Sequence, residues 1–185
     1  DDENDGTYTI SNFSPVVNQQ YTLEIVYDGE TYIGKEILTA GTPIEGITQS
    51  VEGGFDSELL EVNIFYNDRP NEENFYLTKY MEEGDLFPVL QVRSDDFVDG
   101  NQLKDFWEKR DDEDNNEKPF EIGDKISISL YGISKRYHNY MQILIEQYEG
   151  GGSPFSSTAA KLKGNCVNST NAENYPYGYF RLTQF

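Results

Sequence analysis

Gly123-Asp124-Lys125-Ile126-Ser127-Ile128-Ser129-Leu130, followed closely by Ile133-Ser134-Lys135-Arg136-Tyr137-His138-Asn139-Tyr140, decides how this chain folds. In the first stretch Ile126, Ile128 and Leu130 alternate with polar residues, which is the period of a half-buried strand. In the second the period changes. Tyr137, Tyr140, Met141, Leu144, Ile145 and Tyr148 recur three and four residues apart, as on one face of a helix. Ser134 stands at the N-cap position and Gly150 begins a glycine stop, so a helix over 135–149 is expected to lie on a sheet.

Upstream the period is almost everywhere two. Tyr21, Leu23, Ile25 and Tyr27 alternate along residues 20–27, Asp28-Gly29 follows, and Thr31 to Leu38 is again β-branched and aromatic. An Asp-Gly pair between two such runs predicts a hairpin over 20–38. Thr39-Ala40-Gly41-Thr42-Pro43 breaks the pattern and marks a candidate boundary between a unit 1–42 and a unit 43–185. A further strand is expected over 59–66, with Leu60, Val62, Ile64 and Tyr66 on one side. A strand pair follows over 75–81 and 86–92. Leu103, Phe106 and Trp107 have helical spacing and predict a short helix, and Gly178 to Phe185 reads as a closing strand. The fold class expected is therefore mainly β, a β-sandwich of eight or nine strands with one amphipathic α-helix near the C-terminus. A two-stranded ribbon is marginal alone, so the 20–38 hairpin should pack on the second unit or pair with another chain.

Composition narrows the partners. The 185 residues suffice for a packed core, and the lone Cys166 excludes an internal disulfide. The 14 Tyr and 11 Phe suit strands with rings packed and hydroxyls wet. A net charge of −20 argues against a nucleic-acid partner and against adhesion of the protein body to anionic lipid. Residues 95–117 concentrate it, with ten acidic side chains against three basic ones. No apolar run approaches membrane-spanning length. The start at Asp1-Asp2-Glu3 reads as that of a mature or trimmed product.

Several constellations bear on chemistry. Asp95, Asp96 and Asp99, in a loop with Gly100 and Asn101, are a candidate Ca²⁺ site, although Phe97 breaks the EF-hand alternation. The competing reading is a turn whose aspartates cap backbone NH groups while Gly100 takes positive φ. Asp111, Asp112, Glu113 and Asp114 form a denser cluster, read as a solvated loop or a docking surface for a partner. Tyr175 and Tyr177 flank Pro176 in an irregular stretch and are candidates for an exposed ligand surface. His138 and Cys166 are each the sole residue of their kind, so His-based zinc or Cys–His chemistry has no local support. Ser153, Ser156 and Ser157 lack a G-x-S-x-G elbow, and Gly150 to Gly152 lack the lysine of a phosphate loop. With 34 acidic residues, some carboxylate pair falls at hydrolase spacing by chance. No catalytic residue and no cofactor is assigned.

Asp95-Asp96-Phe97-Val98-Asp99-Gly100, Gly123-Asp124-Lys125-Ile126, the Tyr-rich helix, Pro154-Phe155, Gly164-Asn165 and Gly178-Tyr179-Phe180 occur in a fairly specific order. In that order they resemble a family of Bacteroidetes lipoproteins, domain of unknown function 4249 (DUF4249), over roughly residues 20 to 185. The resemblance implies a lipid-anchored protein of the cell envelope, at the outer membrane or cell surface, with a TonB-dependent receptor as partner. It also implies that 1–42 is the remnant of an immunoglobulin-like β module preceding the C-terminal β-sandwich domain. The lipobox cysteine is not in this sequence, and Cys166 stands where an aliphatic residue is usual, as a small apolar filler. The expected function is a non-enzymatic envelope binding or accessory protein. A carbohydrate- or peptide-binding module using surface tyrosines is the alternative, and a hydrolase the third reading.

Overall fold

A computed structural model of the chain describes residues 6–112, 117–150 and 162–184. In chain order the elements are β1 (Gln20–Tyr27), β2 (Glu30–Ile37), β3 (Gly46–Ser50), β4 (Glu61–Asn67), β5 (Phe75–Glu82), β6 (Val89–Ser94), β7 (Gln102–Glu108), β8 (Ile126–Ile133), α1 (Lys135–Gly150) and β9 (Cys166–Asn168). They form three antiparallel sheets of three strands, ordered β1-β2-β9, β3-β4-β7 and β6-β5-β8. Among the described residues the protein is mainly β with one amphipathic helix, as the residue periods require.

Alternation sets the layers. On β4 and β7 the row Val62, Ile64, Tyr66, Leu103 and Trp107 faces inward. It meets Tyr76 and Tyr80 of β5 with Ile126, Ile128 and Leu130 of β8. Two sheets thus pack face to face as a sandwich. The reverse face of β6-β5-β8 carries Phe75, Leu77, Val92, Tyr131 and Ile133, and α1 covers it through Tyr137. The helix starts where Ser134 Oγ accepts the Tyr137 amide at 3.1 Å, satisfying one of the orphan donors of the first turn. His138 packs its ring against Phe75, centroids 5.1 Å apart, and is 9% exposed.

Two sequence expectations fail, each for an identifiable reason. Leu103, Phe106 and Trp107 lie on strand β7, not on a helix. Asp105 occupies the inward row between Leu103 and Trp107 and so hides the alternation. It is tolerated there because Tyr66 OH donates to Asp105 Oδ2 at 2.6 Å and Arg93 to Oδ1 at 2.5 Å. Phe106 points to the other face, against Phe55. The expected closing strand over 178–185 is irregular across its described residues 178–184. The third strand of the hairpin's sheet is instead β9, which pairs with β2.

The hairpin forms as expected, with Asp28 and Gly29 both at positive φ, 49° and 74°. The stretch 39–43 is tied to the sandwich: Thr39 Oγ1 donates to the Gly132 carbonyl at 2.8 Å, and Arg69 to the Ala40 carbonyl at 3.1 Å.

Candidate ligand groove

After β9 the chain turns back across the β1-β2-β9 sheet and is held at two places. At one end Glu30 gathers amides. Asn168 donates to Glu30 Oε2 at 2.9 Å, Asn174 to the same atom at 2.6 Å and Asn171 to Oε1 at 3.1 Å, while Tyr32 OH donates at 2.7 Å. The Tyr32 hydrogen bond, then the Asn171 one, hold the Glu30 carboxyl below its ordinary range despite some desolvation. At the other end Asn165 replaces a strand ladder. Its Oδ1 accepts the Phe180 amide at 2.8 Å, and its Nδ2 donates to the carbonyls of Phe180 at 2.8 Å and Lys35 at 3.1 Å. Beside it the buried Glu36 accepts the Tyr179 hydroxyl, so burial and that bond together push the phenol up.

Between the two clamps, residues 176–178 arch over the sheet and leave a groove of about 610 Å3. Leu23, Ile25, Tyr32, Gly34 and Cys166 contribute from the sheet, and Asn174, Pro176, Tyr177, Phe180 and Arg181 from the returning segment. Tyr177 is 77% exposed at the rim and Ile25 48% exposed. Arg181 stacks its guanidinium on Tyr131 at 4.7 Å and on Tyr137 at 5.6 Å. Tyr179 packs on Tyr137 and Tyr140, at 4.7 and 4.9 Å, which ties the segment to α1. An apolar floor with aromatic walls and amide, hydroxyl and guanidinium groups near the rim is the chemistry of a binding cleft. The described residues show no nucleophile–base pair in it.

The aspartate loop has a different geometry. Among the described residues, Asp68, Asp95 and Asp99 bring carboxylate oxygens within 4.8 Å of one another. Asp96 is not with them; its carboxylate accepts the Ser94 hydroxyl at 2.6 Å on the surface. The three clustered aspartates each accept a backbone NH at 2.8 Å, from Gly100, Asn74 and Asn71 respectively, and Asp68 also accepts the Tyr76 hydroxyl. Gly100 sits at φ +73°. These bonds close the loop 95–101 onto the turn 68–74 with the carboxylates as anchors. The same oxygens are hard donors of the kind a divalent cation takes. Asp68 has no sequence neighbour to mark it, and only the fold delivers it to the cluster.

The family model for Domain of unknown function (DUF4249) matches residues 1–184. The chain belongs to the DUF4249 family. No curated protein and no solved structure matches it.

In this DUF4249 member the Gly-Asn and Gly-Tyr-Phe motifs are the two halves of one clasp. Gly164 lies so close to the returning segment that a Cβ on it would fall 1.5 Å from the Gly178 carbonyl oxygen, so no side chain fits. Asn165 and Tyr179 then supply the bonds described above. Tyr177 lines the groove. Tyr175 is half-buried, stacked on Tyr177 at 5.2 Å and beneath Lys163 at 4.8 Å. Of the acidic cluster, Asp111 is exposed and Asp112 bridges to Glu117, while Glu113 and Asp114 lie outside the described residues, as do Ser153, Ser156 and Ser157. Sequence reasoning missed Asn165, Glu36 and Glu30 as the residues that build the groove. The density of asparagine over residues 165–174 was the available signal.

Proposed function

We propose that this DUF4249 protein is a non-enzymatic binding module whose ligand or partner segment lies in the groove between the β1-β2-β9 sheet and residues 174–181. The groove itself carries the reading. Its two clamps hold an aromatic, partly exposed cleft open at a cost in buried polar groups, Glu36 and Asn165, that a purely structural packing would not need. A planar or extended ligand suits it: a sugar ring stacked on Tyr177, or a peptide with apolar side chains on Leu23 and Ile25.

The setting we propose is the cell envelope, with the chain belonging to a lipid-anchored precursor and serving a TonB-dependent uptake receptor. That part rests on the likeness of its motifs to Bacteroidetes lipoproteins. Immobilised glycan and peptide arrays probed with the purified chain test the binding reading. Retention on one class, lost in Tyr177→Ala, supports it, whereas retention unaffected by Tyr177→Ala and Ile25→Asp places binding elsewhere. Pull-down of a solubilised TonB-dependent receptor with the native chain tests the setting.

A further inference from the structure

On the outer face of the β3-β4-β7 sheet, on different strands from the groove, two glutamates stand side by side. Glu61 of β4 is directly opposite Glu108 of β7, a cross-strand placement that sets like charges against each other. Neither is left to solvent: the Glu61 side chain is 0% exposed and that of Glu108 2%. The loop 51–56 covers them. Its Gly53 amide donates to Glu61 Oε1 at 3.0 Å and its Asp56 amide to Glu108 Oε2 at 3.1 Å, while Phe55 packs on Phe106. The donors are unevenly divided. Glu61 Oε1 also accepts the Ser50 hydroxyl and Asn63 Nδ2, with Lys104 Nζ 4.0 Å away, and Arg110 Nε donates to Glu108 Oε1 at 3.2 Å. Glu61 Oε2 is equally buried and among the described residues accepts nothing; neither does Oδ1 of the wholly buried Asn63 beside it. A buried carboxylate oxygen without a donor is costly, and here the chain itself supplies no partner.

Gly54 marks the spot on which these oxygens converge. A Cβ on it would fall 2.6 Å from Glu61 Oε2 and 2.0 Å from Glu108 Oε2. The two oxygens are therefore no farther apart than those distances together, a gap that one Ca²⁺ bridges with contacts of about 2.3–2.6 Å. We propose that Glu61 and Glu108 hold a divalent cation, Ca²⁺, between their Oε2 atoms beneath Gly53 and Gly54, with water and loop carbonyls completing its oxygen shell. The two basic neighbours do not fill this role. Lys104 and Arg110 are 40% and 59% exposed and reach the Oε1 atoms, so the repulsion between the Oε2 atoms stays uncompensated. A cavity of about 260 Å3, lined by Phe55, Phe106, Lys104 and Glu108 among others, opens beside the pair and gives a cation its way in. The net charge of −20 draws cations to the surface around it. Calcium suits the site better than magnesium, which demands a near-ideal octahedron that two carboxylates under an irregular loop do not offer. Bound there, the ion ties β4 to β7 and fastens the loop over both.

Calcium chloride titrated into the chelator-stripped full chain, read by calorimetry and by thermal unfolding, tests the site. A saturable uptake is expected, half-complete at about 0.1–1 mM as befits a site of few carboxylates. The unfolding temperature should rise with calcium, and the Gly53 and Asp56 amides should exchange more slowly once it binds. Glu61→Gln keeps an acceptor for the donors at Oε1 and offers an NH2 to Glu108 in place of the orphaned oxygen. It therefore folds, which circular dichroism checks, and it is expected to lose both the uptake and the rise in unfolding temperature. Glu108→Gln is expected to lose both as well, so the test does not hang on one variant. No uptake at about 10 mM calcium, well above that range, overturns the proposal. Uptake that survives Glu61→Gln or Glu108→Gln overturns it too, since the ion would then sit elsewhere, the aspartate loop included.

Discussion

Gly164 and Asn165 show how much of this molecule depends on single side chains or their absence. Gly164→Ala forces the returning segment away from β2 and is expected to cost about 3 kcal/mol, read by thermal or urea unfolding. Asp95 makes the same point at the aspartate loop: it is 4% exposed and holds the Asn74 amide. Asp95→Ala strands that buried donor and is expected to cost about 2 kcal/mol, equally with and without a chelator. A loss of stability on chelation of the native chain, absent in the variant, would place a cation among Asp68, Asp95 and Asp99. Tyrosines supply a pH response. Burial first, and carboxylate neighbours second, push Tyr66, Tyr76 and Tyr179 above the ordinary 10.0, and burial with Asp105 does the same for Tyr80. Above that pH the native state binds more protons than the unfolded chain, so stability falls as pH rises. Absorbance of phenolate against pH should show these groups ionising together with unfolding; gradual ionisation in a chain that stays folded would contradict their burial.

Elements were legible in the sequence where one physical rule governed them. The 20–38 hairpin, the strand of Ile126, Ile128 and Leu130, and the helix behind Ser134 each follow from a clean period and a defined punctuation mark. Where a polar residue entered an apolar row the period misled, as Asp105 did on β7, since only the fold shows that Tyr66 and Arg93 satisfy it. Where a side chain replaced a ladder, as Asn165 does for Phe180, aromatic β propensity was mistaken for a strand. The groove was the least legible feature. Tyr177 was marked by its irregular setting, but the clamps join residues more than a hundred positions apart. At this scale the helix start gives a simple check. Ser134→Ala should cost about 1 kcal/mol and loosen the first turn, with the amide of Tyr137 exchanging faster. An unchanged Tyr137 amide would mean that the cap carries no load.

Across the whole molecule, the sandwich carries the buried core and the hairpin sheet carries the groove, with α1 and Tyr179 linking them. Beneath the loop 51–56, Glu61 is buried on the outer face of β4. Burial alone would raise its carboxyl, but hydrogen bonds from Ser50, Asn63 and the Gly53 amide, with Lys104 nearby, leave it below the ordinary 4.5. Its stabilisation is complete above that pH and is lost as pH falls through the folded value, so Glu61→Gln should flatten the acid limb of the stability curve. An acid limb identical in both chains would show that Glu61 does not set the acid stability. The C-terminal segment is clasped onto the hairpin sheet and so creates the groove. Hydrogen exchange at the Phe180 amide is the sharpest test, because among the described residues no strand ladder protects that proton outside this clasp. Slow exchange is expected in the native chain, and fast exchange in Asn165→Ala while the β5 amides stay protected. Fast exchange at Phe180 in the native chain would contradict the clasp, and the groove with it.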